Sequence, residues 1–199
     1  MRILLFFLTV VAVLSCTSKS THQSSTTSFW TSLKDSFPAK NLTAFAVDSQ
    51  LQHNYKTFPA LRNKVVDSVV SNEAAYLYSW QNTPAGFTAF TALVDQSDHG
   101  LRILYFVFDD SDRLHSVTHV ANYGREAGMI YETRSTFIGR DTLLKISAAS
   151  TKLDLTKPTP WPELSKSKGD SVFSHVVFQK DGRAVEKQVS EKKELNLEW

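Results

Sequence analysis

The sequence predicts an α+β fold that is mainly β: a curved antiparallel meander of about eight strands preceded by one or two helices. Three observations carry this expectation. From residue 74 onward, apolar residues recur with period two in short runs rich in aromatic and β-branched side chains. Several of these runs are joined by turn-like segments, DQSDHG at 95–100, DDSD at 109–112 and KDG at 180–182, which are too short for a parallel crossover. Strand and helix patterns do not alternate, so a parallel α/β sheet is rejected. A closed up-and-down barrel is the alternative architecture, because eight strands suffice to close around a small ligand.

The first helix is expected at Phe29, Trp30, Leu33 and Phe37, whose spacing forms one apolar stripe, with Ser28 as N-cap and Pro38 just past the end. A second could follow Phe58, although Val65, Val66, Val69 and Val70 are β-branched and suit strands as well. The strand runs are 75–81, 86–95, 101–108, 114–122, 129–138, 142–150, 171–179 and 183–190. In the third, Leu101, Ile103, Tyr105 and Val107 alternate with Arg102, Leu104, Phe106 and Phe108. Both faces are apolar except at Arg102, which predicts an interior strand covered on both sides. In the fourth, Leu114, Ser116, Thr118 and Val120 oppose His115, Val117 and His119, and the histidine face is expected to be partly wet. The segment 157–169 carries prolines at 158, 160 and 162 around Trp161 and is read as a surface excursion, since those prolines cannot join a central ladder.

The chain has 199 residues, of which 42% are hydrophobic, with a formal net charge of +2. This is the composition of one globular domain. Near-neutrality gives no clustered charge for phosphate binding, so nucleic acid is not an expected partner. A single cysteine excludes any intramolecular disulfide, and stability must come from a packed core.

That cysteine stands at residue 16, after a positive start at Met1-Arg2 and an apolar run over 3–13 broken only by Thr9. As a helix the run would span about 16 Å, short of a hydrocarbon core of about 30 Å, so it reads as a signal peptide over 1–15. Val13-Leu14-Ser15-Cys16 resembles a bacterial lipobox, in which the cysteine thiol accepts the diacyl group and palmitate-type chains then anchor the protein. Residues 17–28, TSKSTHQSSTTS, contain no apolar side chain and form a polar tether, which leaves 29–199 as a single β-rich domain. Thr17 follows the lipid site where an aspartate would hold many lipoproteins in the inner membrane, so the outer membrane is the expected address, with the periplasmic or surface face open.

The lipobox, tether, early Phe-Trp pair and paired strands are similar to those of uncharacterised lipoproteins of Bacteroidota-type bacteria. The segments that carry the likeness are LRILYFVFDDSDRLHSVTHV, DTLLKISAASTKLDL and SVFSHVVFQKDGRAVEKQV. The resemblance implies a cell-envelope address and assigns no catalytic residue.

Candidate chemistry is sparse. His115 and His119 have metal-ligand spacing only on a helix; in a strand their Cα atoms lie about 13 Å apart, and no metal is expected there. Asp109, Asp110 and Asp112 fit a hairpin turn better than a calcium loop, since the interior glycine and distal glutamate are missing. Glu126 and Glu132 read as exposed charges rather than an acid/base pair. There is no Gly-x-Ser-x-Gly, His-Glu-x-x-His, phosphate loop or dinucleotide fingerprint, and no cofactor is expected. Trp80, Tyr123 and Trp161 stand at or near strand ends or loops, where a peptide or glycan could stack, although core packing is the commoner role. The expected function is therefore a lipid-anchored envelope module that binds a protein, peptide or glycan or serves a structural role. A lipid-anchored hydrolase with an unrecognised carboxylate site is the alternative.

Overall fold

The computed structural model describes residues 29–71, 73–83, 86–97, 100–126, 129–150 and 168–196. The segments read above as signal peptide and tether, with Cys16, and most of the proline-bearing segment, Trp161 included, lie outside them. The described chain opens with α1 (Phe29–Ser32), a 3-10 turn at Lys34–Ser36, β1 (Ala39–Lys40), β2 (Ala44–Phe45) and α2 (Ser49–Asn54). A second 3-10 turn at Tyr55–Thr57, β3 (Ala60–Leu61) and α3 (Lys64–Val69) follow. Then come the eight meander strands: β4 (Ala74–Gln81), β5 (Phe87–Asp95), β6 (Leu101–Asp109), β7 (Leu114–Glu126), β8 (Met129–Phe137), β9 (Thr142–Ser150), β10 (Lys168–Phe178) and β11 (Ala184–Asn196).

All eight pair antiparallel with their sequence neighbours, and the sheet is mainly β and open, in the order β1-β4-β5-β6-β7-β8-β9-β10-β11. The closed barrel is thus not realised. The edges show why closure is not needed to protect them. β1 runs parallel to β4 at Ala39 and Lys40, and β3 pairs with β4 at Ala60 and Leu61, so the first edge is covered by short segments of the N-terminal region. β8 pairs with β7 only over Met129 to Thr133, and farther along, at Ser135 and Thr136, its partner is β2. The far edge, β11, carries Lys187, Lys192 and Lys193 and two register shifts against β10, features that disfavour edge-to-edge pairing.

β6 separates two cores. Leu101, Ile103, Tyr105 and Val107 join a cluster with Phe45, Val47, Leu143 and Val176, against which Leu51, Tyr55 and Phe58 of the N-terminal region pack. Leu104, Phe106 and Phe108 join Trp30, Phe37, Val66 and Phe90 in the second. The interior position and the alternation expected of this strand are both present. Arg102 points to the second side, where its guanidinium is paired with Glu73 at 2.5 Å, which offsets the cost of a half-buried charge.

The N-terminal region departs more from expectation. The Phe29 helix lasts four residues and passes into the 3-10 turn at Lys34; of the expected stripe Trp30 and Phe37 are buried and Leu33 partly so, while Phe29 is exposed. The second expected helix starts later, at Lys64, capped by the Asn63 side chain, which accepts from the Val65 N–H at 2.9 Å. The helix SQLQHN was not expected, because its one strongly apolar residue, Leu51, sets no period; Asp48 caps it by accepting from the Leu51 N–H at 2.7 Å.

One expectation about β7 is corrected. Register shifts fall at His115, between the Phe108–Leu114 and Val107–Ser116 pairs, and at Val120, between Leu104–His119 and Ile103–Ala121. Each extra residue resets which face follows. Leu114 and Val117 consequently share the second core, Val120 and Ala121 the first, and His115 turns to the Phe87 ring while His119 stands across from Leu104.

Candidate functional site

The sheet curls until the β10–β11 turn touches the start of β7, and polar side chains gather along this seam. Asp109 ends β6 and organises the turn after it: Oδ1 accepts from the backbone N–H groups of Ser111 at 2.9 Å and Arg113 at 3.0 Å. Such side-chain bonds are why aspartate favours turns. Asp112 takes positive φ of 59° there, and its Oδ2 accepts from the Phe29 N–H at 2.8 Å, tying the start of α1 to this end of the sheet.

Asp109 Oδ2 accepts from Arg113 Nε at 3.1 Å and lies 3.1 Å from His115 Nε2. The Arg113 backbone N–H, then the His115 ring, hold the Asp109 carboxyl at about 2, well below the usual carboxylate range. His115 Nδ1 lies 3.1 Å from the backbone oxygen of Asp181 in the β10–β11 turn. Both neighbours of the ring are acceptors, so both contacts are hydrogen bonds together only when both ring nitrogens carry protons. Beside it the Ser116 hydroxyl donates to the Gly182 carbonyl at 2.8 Å. Gly182 has φ of +80°, and a Cβ there would stand 2.5 Å from Phe87 Cε1, so the close approach of the two hairpins requires glycine.

Lys145 and Glu186 form a second polar group farther along the curl, on β9 and β11. Lys145 lies opposite Ser135 and Ser174 in its ladders, its side chain is only 12% exposed, and its Nζ meets Glu186 Oε2 at 2.8 Å. A lysine this enclosed is retained because it is paired. His119 donates from Nε2 to the Ala121 carbonyl at 3.0 Å. Burial, then the Lys145 charge, depress its pKa to about 4, so the ring is neutral at pH 7.

Chemically, these groups are occupied with one another. The Ser116 hydroxyl faces a carbonyl and not the His115 ring, so the adjacent serine and histidine are not arranged as nucleophile and base. Among the described residues no three His, Cys, Asp or Glu side chains converge as a metal site. Glu132 is not the exposed charge expected: its side chain is 12% exposed, it pairs with Arg134 at 2.8 Å and burial raises its pKa; the Glu126 side chain lies outside the described residues.

Trp80 and Tyr123 are 7% and 6% exposed. Trp80 packs edge-on against Phe37 in the second core and Tyr123 belongs to the first, the packing role weighed above against ligand stacking. Sequence reasoning missed Lys145, Glu186 and Asp181, whose contacts bridge 41 and 66 residues and leave no local pattern. No protein-family model, curated protein or solved structure matches this chain.

Proposed function

We propose that this chain is a membrane-anchored cell-envelope lipoprotein, cut before Cys16 and acylated there, whose β-rich domain is a non-catalytic binding or structural module. The observation that carries the reading is the position of the only cysteine: directly after an apolar run, inside Val13-Leu14-Ser15-Cys16, and before twelve residues with no apolar side chain. Lipid chemistry needs a thiol at that place, and a polar run after it suits a linker that holds the domain clear of the bilayer. A further fact supports it: the first described residue, Phe29, is fixed to the β6–β7 turn, which gives the tether a firm point of attachment. The module reading rests on polar groups that are each engaged within the fold: Asp109 with His115, the Ser116 hydroxyl with the Gly182 carbonyl, and Lys145 with Glu186. Its partner would be an envelope protein, peptide or glycan.

Metabolic labelling with a palmitate analogue tests the anchor. The wild-type chain should be labelled and sediment with membranes, and Cys16→Ala should be neither labelled nor processed. Equal labelling of the two would remove the reading.

A further inference from the structure

The ladders of β8 to β11 place Thr136, Leu144, His175 and Lys187 in one row, Thr142, Val177 and Val185 in a second, and Arg134, Ile146, Phe173 and Ser190 in a third. All three rows share one face of the sheet: their residues alternate along β8, β9 and β10, and on β11 the extra residue Val189 returns Ser190 to the face of Val185 and Lys187. Leu143, Val176 and Glu186, on the opposite face, turn to the first core and to Lys145.

This outward face is both apolar and cationic. Val177 and Val185, directly opposite one another, are 38% and 45% exposed. Leu144, Ile146 and Phe173 are half-buried, and the Lys192 ammonium stands 5.3 Å over the Phe173 ring. Lys187 is exposed beside His175, while the carboxylate next to it in sequence, Glu186, belongs to the other face. The Arg134 charge is balanced by Glu132, which leaves the two lysines as surplus positive charge among the described residues of this face.

From this arrangement we infer that the β10–β11 face lies against an anionic phospholipid surface. The inference rests on the lipoprotein reading, because the tether is what brings the domain to the bilayer. The route is short: Phe29 is bonded to Asp112, Asp109 of the same turn contacts His115, and His115 contacts Asp181 in the β10–β11 turn. The tether therefore departs from the end of the domain where this hairpin turns, and its residues 17–28 have an r.m.s. reach of roughly 20 Å. Valines at headgroup depth with lysines beside the phosphates are the chemistry that interfacial binding uses. A second copy is the poorer occupant, because two such faces would set lysine against lysine.

Amide hydrogen exchange of the full chain, isolated as it is expressed and mixed with vesicles, tests the inference. Vesicles of phosphatidylglycerol and phosphatidylcholine should slow exchange over 171–178 and 184–190 by about tenfold relative to vesicles of phosphatidylcholine alone. Lys187→Glu with Lys192→Glu should abolish the difference, and so should Val177→Ser with Val185→Ser, with β5 and β6 exchanging as in wild type. Equal exchange in the two vesicle types, unchanged protection in the lysine pair, or protection that appears without vesicles as protein concentration rises would each overturn it. Mass measurement of the peptide containing Cys16 in the same samples keeps the two readings apart. An acylated cysteine without selective protection removes the docking face and leaves the anchor, and selective protection of a chain without acyl groups does the reverse.

Discussion

Phe106 lets the packing of the second core be tested in magnitude. Its side chain has no exposed surface, stacks on Phe90 at 5.2 Å with an interplanar angle of 18°, and lies between Phe90 on β5 and Val117 on β7. Replacement by alanine removes a whole ring from a site whose neighbours are fixed by two ladders. The cavity can collapse only slightly, and the loss should fall in the range of about 3 to 5 kcal/mol. For a domain of this size each kcal/mol lowers Tm by about 2 to 4 °C, so the midpoint should drop by about 6 to 20 °C. Urea unfolding followed by tryptophan fluorescence suits the measurement, since Trp30 contacts Phe90 and Phe108 in the same cluster. The slope m should stay constant while the midpoint moves. Ile138→Ala, at a site 55% exposed, is the control and should cost less than about 1 kcal/mol. A Phe106→Ala loss below about 1.5 kcal/mol, or no larger than that of the control, would refute the doubly covered strand.

Three further outcomes follow from the seam and its neighbours. His119 ordinarily titrates near 6.5 and is held at about 4 in the fold, so between these values the unfolded chain binds a proton that the folded chain refuses, and stability should fall as pH drops from 6.5 to 4 by up to about 3 kcal/mol; His119→Gln should flatten that window, and parallel wild-type and variant curves would sink the argument. Asp109 is held at about 2 against an ordinary 3.8, so the stability it contributes is present above about 4 and lost as pH falls through 2; acid titrations of wild type and Asp109→Asn should diverge above that window and converge at its lower end. Gly182→Ala should cost at least about 1 kcal/mol through its positive φ and the Phe87 contact, and a double-mutant cycle with Phe87→Ala should recover part of it; purely additive losses would mean that the two hairpins do not meet as described.

What could be read from the sequence is what depends on near neighbours along the chain. The alternation at 101–108 separates Leu101, Ile103, Tyr105 and Val107 from Leu104, Phe106 and Phe108 as the two cores do, because period two is a property of the strand itself and both faces happen to be apolar. The same reasoning misplaced part of β7, where a bulge at His115 and another at Val120 exist only in relation to β6 and leave no mark in the composition of 114–122. The two-residue strands β1, β2 and β3 were equally invisible: what selects Ala39, Ala44 and Ala60 is an edge of β4 or β8 that would otherwise stand unpaired, not any propensity of their own. The seam belongs to the same class. Asp109 was legible as a turn residue, but its second carboxylate oxygen and His115 acquire their roles from a turn 66 residues away. The curl of the sheet that brings that turn to β7 is thus the step between a readable meander and a readable site. Register shifts bend and twist a strand, and those at Tyr78, His115, Val120, Val189 and the start of β10 are all relations between two strands, which neither strand reveals alone.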